Sequence, residues 1–250
     1  MNQTSQRLLE QAVFILRSLL TLLLMTGIAL VMLCVASATL FQARRFYSER
    51  IATPMGRLAL KLWGIQIVMH QDQAFPRTQT VYISNHTSTI DVFVLIALGL
   101  PRARFFLSGF LRKILPLGLI GYLIGIFWTV PQSFPERRAR IFQRAEAVLR
   151  SSGDSVYLSP EGERITSGEV GHFNKGAFHL ATRLHCPIVP LFIAIPSHIN
   201  PGRGLHAKAG EVHVYVKPSL DTRTWREEDV VKNKEAVRDL FVVWNREHRQ

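Results

Sequence analysis

The chain has 250 residues, 48% of them hydrophobic, which excludes an intrinsically disordered protein and allows one sizeable domain with an appendage. Its formal net charge of +12 excludes an acidic surface and favours anionic partners: nucleic acid, acidic lipid surfaces or phosphorylated substrates.

In chain order, the first feature is residues 18–43, which contain no Asp, Glu, Lys, Arg or His. A bilayer is crossed by about 20 apolar residues, so this run is long enough. Ala36-Ser37-Ala38 has the small-x-small look of a leader cleavage site, yet the run exceeds the roughly 7–15-residue core of a secretory leader. Arg7 and Arg17 precede it and Arg44, Arg45 and Arg50 follow it, leaving no clean positive-inside asymmetry. Basic residues at both ends also suit a hairpin dipping into one leaflet, with a bend at Gly27 and residues 8–16 starting the first arm. Residues 1–50 are therefore expected to form a membrane-associating segment, either a single apolar helix or a helical hairpin. The two cysteines, Cys34 and Cys186, argue against a disulfide framework and suit a reducing compartment. Cys186 reads as a small buried residue.

Over residues 51–250, short apolar runs alternate with segments of helical period, which predicts an α/β domain. Strands are expected over 65–69, 80–84, 104–107, 126–130, 155–159, 188–195 and 211–217. Helices are expected over 89–98, 110–124, 135–151, 175–183 and 227–249, and loops over 71–76, 152–154, 162–171 and 199–210. The fold class is thus α/β, a mixed, largely parallel sheet flanked by helices and preceded by the apolar segment. Trp63, Phe105, Phe106 and Trp128 read as core or as the lining of an acyl-binding groove. The arginines at 137, 138, 140, 144 and 150 read as a solvated helix face able to meet anionic headgroups.

Two strands end alike. Val81-Tyr82-Ile83-Ser84 leads into Asn85-His86, and Val156-Tyr157-Leu158-Ser159 leads into Pro160-Glu161-Gly162. Ligands of open parallel sheets bind outside the carboxyl ends of strands, so parallel alignment would bring both loops to one cleft. On a continuous helix His86 and Asp91 would sit about 140° apart and could not meet. The histidine therefore belongs before the helix, while Ser88-Thr89-Ile90-Asp91 reads as a capping box with Asp91 at the third helical position. In that arrangement His86 can exchange a proton near neutrality and Asp91 can orient its ring. The second loop, Pro160-Glu161-Gly162-Glu163-Arg164, is followed by Phe173-Asn174-Lys175-Gly176. Gly162 lets backbone approach a ligand, Arg164 can grip phosphate through its planar fork, and Lys175 adds a point charge near a helix start. Glu163 reads as an ion-pair partner of Arg164. His172, His179, His185 and His213 lack the ligand spacing of a metal site, and no metal is expected.

These blocks resemble the glycerolipid acyltransferases of the 1-acylglycerol-3-phosphate (lysophosphatidate) type. His86 and Asp91 match that family's H-x-x-x-x-D motif, and Pro160 to Arg164 resembles its P-E-G-T-R block. Phe173-Asn174-Lys175-Gly176 looks like its F-K-x-G segment with the lysine one place later, and Ile188-Val189-Pro190-Leu191 resembles its V-P block. Together they cover roughly residues 55 to 196 in order. The resemblance implies His86 and Asp91 as the catalytic pair and Glu161, Gly162, Arg164 and Lys175 as substrate-binding residues. It further implies acyl-CoA or acyl-carrier protein as donor substrate, no separate cofactor, a lysophospholipid acceptor, membrane lipids as partners and a cytoplasmic-membrane location with the catalytic domain inside. The family's second block usually ends in an arginine, whereas 125–131 here ends in Pro131, which leaves open another lysophospholipid or a lyso-aminolipid as acceptor. A non-catalytic, basic membrane-surface protein is the reading from another class. No nucleic-acid motif is present, and nucleic acid is not an expected partner.

Overall fold

The computed structural model of the chain describes residues 3–202, 204 and 206–248. It opens with α1 (Gln3–Ala38) and α2 (Arg44–Phe46), a π-helical turn (Tyr47–Ala52) and α3 (Thr53–Leu62). Then come β1 (Ile65–His70), β2 (Val81–Ser84), α4 (Asp91–Leu98), β3 (Ala103–Ser108), a 3-10 turn (Leu111–Lys113), α5 (Leu115–Ile124) and β4 (Phe127–Thr129). The chain continues through α6 (Pro135–Ser152), β5 (Ser155–Leu158), α7 (Gly176–Leu184), β6 (Ile188–Ala194) and β7 (Gly210–Val216) to a second 3-10 turn (Glu227–Asp229) and α8 (Val230–His248).

All seven expected strands form, in one sheet of order β1-β7-β6-β2-β5-β3-β4. Neighbours run parallel throughout except β6 and β7, which are antiparallel. Parallel pairing needs crossover connections, and the intervening helices supply them. Those helices cover both faces, so β2 and β5 are buried at every position. On one face Met32 of α1, Val94 of α4 and Ile120 of α5 share a core with Leu191. On the other, Leu149 of α6, Phe178 of α7 and Phe241 of α8 pack against Val81 and Ile83. Phe105 and Phe106 are core, with Trp63 and Trp128 packed at its margin. Cys186 is buried, and burial pushes its thiol up to about 12.

Several expected boundaries move for identifiable reasons. α1 runs unbroken through Gly27, so a hairpin bent there does not form; one glycine weakens a helix without ending it. The reversal comes later, where Leu40 and Phe41 take φ of 49° and 62°, and residues 44–62 run back along α1 to place Trp63 against Thr21. The division expected after residue 50 falls inside that returning helical stretch. The helix expected over 110–124 splits into the 3-10 turn and α5, with Ile114 extended between them. Pro116 explains this, because a proline ring clashes with the carbonyl four residues back and cannot donate to it. α4 starts at Asp91 rather than residue 89, and α8 follows a separate 3-10 turn; residue 249 lies outside the described residues.

A charge cluster around the buried Asp154 ties the returning segment to the base of the sheet. Asp154, just before β5, accepts hydrogen bonds from Arg44, from Arg45 Nε at 3.1 Å and from Arg104 Nε at 3.0 Å. Burial alone would raise its pKa, but the Ser152 hydrogen bond and the charges of Arg44 and Arg104 outweigh it and hold the carboxyl below its ordinary value. A depressed carboxylate stabilises the fold above its ordinary pKa, and that contribution is lost as pH falls through the lower folded value. Asp154→Asn should therefore cost about 3 kcal/mol at neutral pH, since it leaves the part-buried Arg44 and Arg104 without their carboxylate. Thermal unfolding of the two proteins, with the difference shrinking in acid, checks this.

Candidate active site

β2, β5 and β6 are mutually aligned, so their carboxyl ends open on one side of the sheet. His86 lies two residues past the end of β2 with its side chain 35% exposed. Its Nδ1 is 2.7 Å from Asp91 Oδ2. Assigning the Nδ1 proton to this bond leaves Nε2 as a bare acceptor, the tautomer a general base requires.

Asp91 Oδ2 also accepts the backbone N–H groups of Thr87 and Ser88, each at 3.0 Å. Half of the expected capping box is thus present, from the first helical position rather than the third. Ser88 Oγ accepts from Ile90 N at 3.2 Å and donates to Asn200 Oδ1 at 2.9 Å, so the loop is held before the helix begins. Oδ1 of Asp91 is buried with no hydrogen-bond partner among the described residues.

Glu161 follows β5 and is buried, and both its oxygens meet backbone. Oε2 accepts His86 N–H at 2.7 Å and Oε1 accepts Gly171 N–H at 2.8 Å. This carboxylate, expected among the substrate-binding residues, pins the backbone of the histidine itself. Burial raises its pKa to about 7 against those two hydrogen bonds and the nearby His86. The close approach explains Gly171: a Cβ there would lie 2.7 Å from Ile165 Cγ1 and 3.3 Å from Glu161 Oε1. Gly162 has φ of 71°, and a Cβ on it would come within 2.8 Å of Asn174 Nδ2. Its glycine therefore admits Asn174, which donates to the carbonyls of Pro160 and Glu161 at 3.0 and 2.9 Å.

Arg164 is drawn to the histidine loop, donating to Thr89 Oγ1 at 2.8 Å while its side chain stays exposed. It is not paired with Glu163, contrary to expectation. Lys175 is exposed at the start of α7, with no hydrogen bond or ion pair among the described residues joining it to His86, Asp91 or Arg164. The sheet thus brings His86, Asp91, Glu161, Gly162 and Arg164 together and leaves Lys175 apart.

Four supporting residues escaped the sequence reading. Asn85 extends the β2–β6 ladder with its side chain, donating to Ile193 O and accepting from Ile193 N, both at 2.8 Å. Asn174 stands where the resembled family has its lysine. Asn200 accepts from Ser88 and from Gly202 N–H, and Arg238 of α8 donates to the carbonyls of Val170 and Gly171. Asn85, adjacent to His86, and Asn174, inside the block 173–176, carried a positional signal; Asn200 and Arg238 carried none. Beside these groups a cleft of about 300 Å³, near the lower bound for small-molecule sites, is lined by Asn85, Thr87, Thr166, Ile193, Asn200 and Gly202.

Comparison with known proteins gives the context for this geometry. The model of the Acyltransferase family matches residues 66–194, a span holding every residue of the His86 constellation. A 1-acyl-sn-glycerol-3-phosphate acyltransferase from Limnanthes alba is 27% identical over 204 residues, covering 75% of this chain and 66% of that protein. The chloroplastic acyltransferase BAT2 of Brassica napus, of the same description, is 31% identical over 163 residues, covering 64% of this chain and 46% of its own. The chain spans at most about two thirds of these relatives' lengths. In fold it is similar to the crystal structure of the 1-acyl-sn-glycerophosphate acyltransferase PlsC from Thermotoga maritima, with a TM-score of 0.67, 22% identity and coverage of 91% of this chain and 96% of that one. With the family model spanning more than half of the chain, the protein belongs to the acyltransferase family.

Proposed function

We propose that this protein is a membrane-associated O-acyltransferase that moves an acyl chain from a thioester to the free hydroxyl of 1-acylglycerol-3-phosphate, giving phosphatidate. The observation that carries the reading is the 2.7 Å His86–Asp91 pair, with the phosphate-gripping side chain of Arg164 docked on the same loop through Thr89. The relatives named for this reaction support it.

In the proposed reaction His86 Nε2 takes the acceptor's hydroxyl proton as the oxygen attacks the thioester carbonyl, and Asp91 stabilises the imidazolium. The C–S bond then breaks, and the departing thiolate takes the proton from His86. Arg164 holds the acceptor's phosphate by charge-assisted hydrogen bonds. No acyl-enzyme is needed, and the sequence has no G-x-S-x-G elbow to form one. The donor is acyl-CoA or acyl-carrier protein, supplied from the cytoplasm, which places the catalytic domain on that side of the membrane. α1 supports membrane association, being long and apolar enough to span a bilayer.

A second acceptor class is favoured by one observation. The second block ends in the exposed Pro131, so a cation common in the family is missing beside the phosphate, and another lysophospholipid can compete for the site. Initial rates with one thioester against a panel of lysophospholipids and lyso-aminolipids distinguish the two, and a preference for 1-acylglycerol-3-phosphate is expected.

His86→Ala should lower kcat by about 10²- to 10⁴-fold with the thermal midpoint near that of wild type; undiminished turnover refutes the mechanism. Arg164→Ala should raise the acceptor KM and leave donor KM unchanged. Glu161 supplies a pH test. Its folded pKa of about 7 lies above the ordinary 4.5, so its contribution is greatest below 4.5 and is lost as pH rises through about 7. Across that window wild-type stability should fall relative to Glu161→Gln, which has no proton to release; melting curves in a pH series check the sign.

A further inference from the structure

The antiparallel turn from β6 to β7 decides where α1 begins. β7 starts where β6 ends, and β1 runs parallel to β7, so residues preceding β1 and β7 lie at the His86 end of the sheet. Phe14 of α1 packs there, with its ring 5.7 Å from Trp63 and 5.1 Å from His206. The other end of α1 lies near Tyr47 and the Asp154 cluster, at the base of the sheet. Residues before Phe14 therefore run on past the His86 end, and Leu8, Leu9, Ile15, Leu16 and Leu19 are exposed along this half of the helix.

A second apolar feature sits at the same end. β3 is parallel to β5, so the turn after Ser108 emerges beside the strand ends that carry the site. Phe110 is 67% exposed there and Leu115 83%, with Ile114 exposed between them. Arg112 and Lys113 interleave with these residues, and neither has an acidic partner among the described residues. Behind the turn, α5 shares the core of α1, through Leu117, Ile120 and Leu123 against Met25, Ala29 and Met32. The tip is thus rigidly continuous with the helix proposed to enter the membrane.

We infer that the Phe110–Leu115 turn is a second membrane-inserting element, a wedge that enters an anionic lipid leaflet beside the N-terminal half of α1 and seats the His86 end of the sheet on the headgroups. Exposed aromatic and aliphatic side chains with alternating cations suit the boundary between headgroups and acyl chains. A second copy of the chain fits less well, because a two-fold contact through this turn would bring its unpaired cations against their own equivalents.

The inference rests on the proposed membrane association of α1, and the test separates the two. In a Cys34→Ser background, Cys186 stays buried and unlabelled, so a polarity-sensitive fluorophore can be placed at Phe110→Cys or Leu115→Cys. Leu16→Cys reports on α1, and Arg223→Cys, in the exposed segment after β7 at the opposite end of the sheet, serves as the aqueous control. The full chain is reconstituted in vesicles of phosphatidylcholine and phosphatidylglycerol. Blue-shifted emission at 110, 115 and 16, quenched by nitroxide carried on the acyl chains, with an aqueous signal at 223, is the expected result. The shift at 115 should grow with the phosphatidylglycerol fraction, and Arg112→Gln/Lys113→Gln should abolish that growth. Insertion at 16 with aqueous signals at 110 and 115 overturns the wedge and leaves membrane association standing. Aqueous signals at all four positions overturn both. A shift at 110 and 115 that vanishes when the protein is diluted into more lipid identifies a second copy as the occupant and overturns the wedge.

Discussion

The carboxylate of Glu161 is the fastening on which the site depends. Two loops leave two different strands, and nothing in the parallel ladder of β2 and β5 controls them once the strands end. Glu161 closes that gap by accepting the backbone N–H groups of His86 and Gly171 with its two oxygens. Arg238 of α8 holds the carbonyl of the same Gly171, so a chain of hydrogen bonds runs from the C-terminal helix through Gly171 and Glu161 to the histidine's backbone. The hydrogen bonds of that chain are part-buried, and leaving a buried donor unpaired costs about 1–3 kcal/mol. Asp91 then orients the ring of a residue whose main chain is already fixed. Burial, more than the charge of Asp91, is what raises the Glu161 pKa, so the two acids have separable duties.

How much of this was legible in the sequence follows from how local each interaction is. The His86–Asp91 pair lies within one strand-to-helix turn, and helical geometry alone requires the histidine to precede the helix. The inner strands β2, β5 and β6 were legible because burial on both faces leaves continuous apolar runs such as Val81-Tyr82-Ile83. The true partners of Glu161 were not, because they are backbone N–H groups, which carry no sequence signature, one of them 75 positions away. The Asn85 and Asn174 clamps were hidden for the same reason, both acting on main chain. Gly27 misled because glycine permits a bend that packing then declines to use. Pro116 held a readable signal for the break before α5, outweighed in the reading by the apolar run around it.

The second block shows how a missing residue type can be absorbed. The strand β4 ends at Thr129, whose carbonyl accepts Gly109 N–H at 2.8 Å, and the next carbonyl, Val130, accepts Arg138 at 2.9 Å. A cation is therefore present near this corner, but it is contributed from α6 and engaged with main chain. Burial lowers its pKa. Pro131, just past the strand, thus leaves the corner supported, and Arg164, from the loop after β5, reaches the His86 loop as an exposed cation able to meet a ligand from solvent.

The direction of a single strand pair has consequences for the whole molecule. Had β7 continued parallel to β6, β1 would have started at the far end of the sheet, and α1 would have met Trp63 beside the Asp154 cluster. The reversal instead gathers the free apolar half of α1, the turn after β3 and the ends of β2 and β5 at one end. A lipid acceptor in a leaflet presents its hydroxyl and phosphate at headgroup depth, while its acyl chain is costly to withdraw, at about 0.8 kcal/mol per methylene. Under the proposed function, a site that opens at the same end as the apolar elements would meet those polar groups where they already lie, so the position of His86 relative to α1 would limit how far the acyl chain must leave the bilayer.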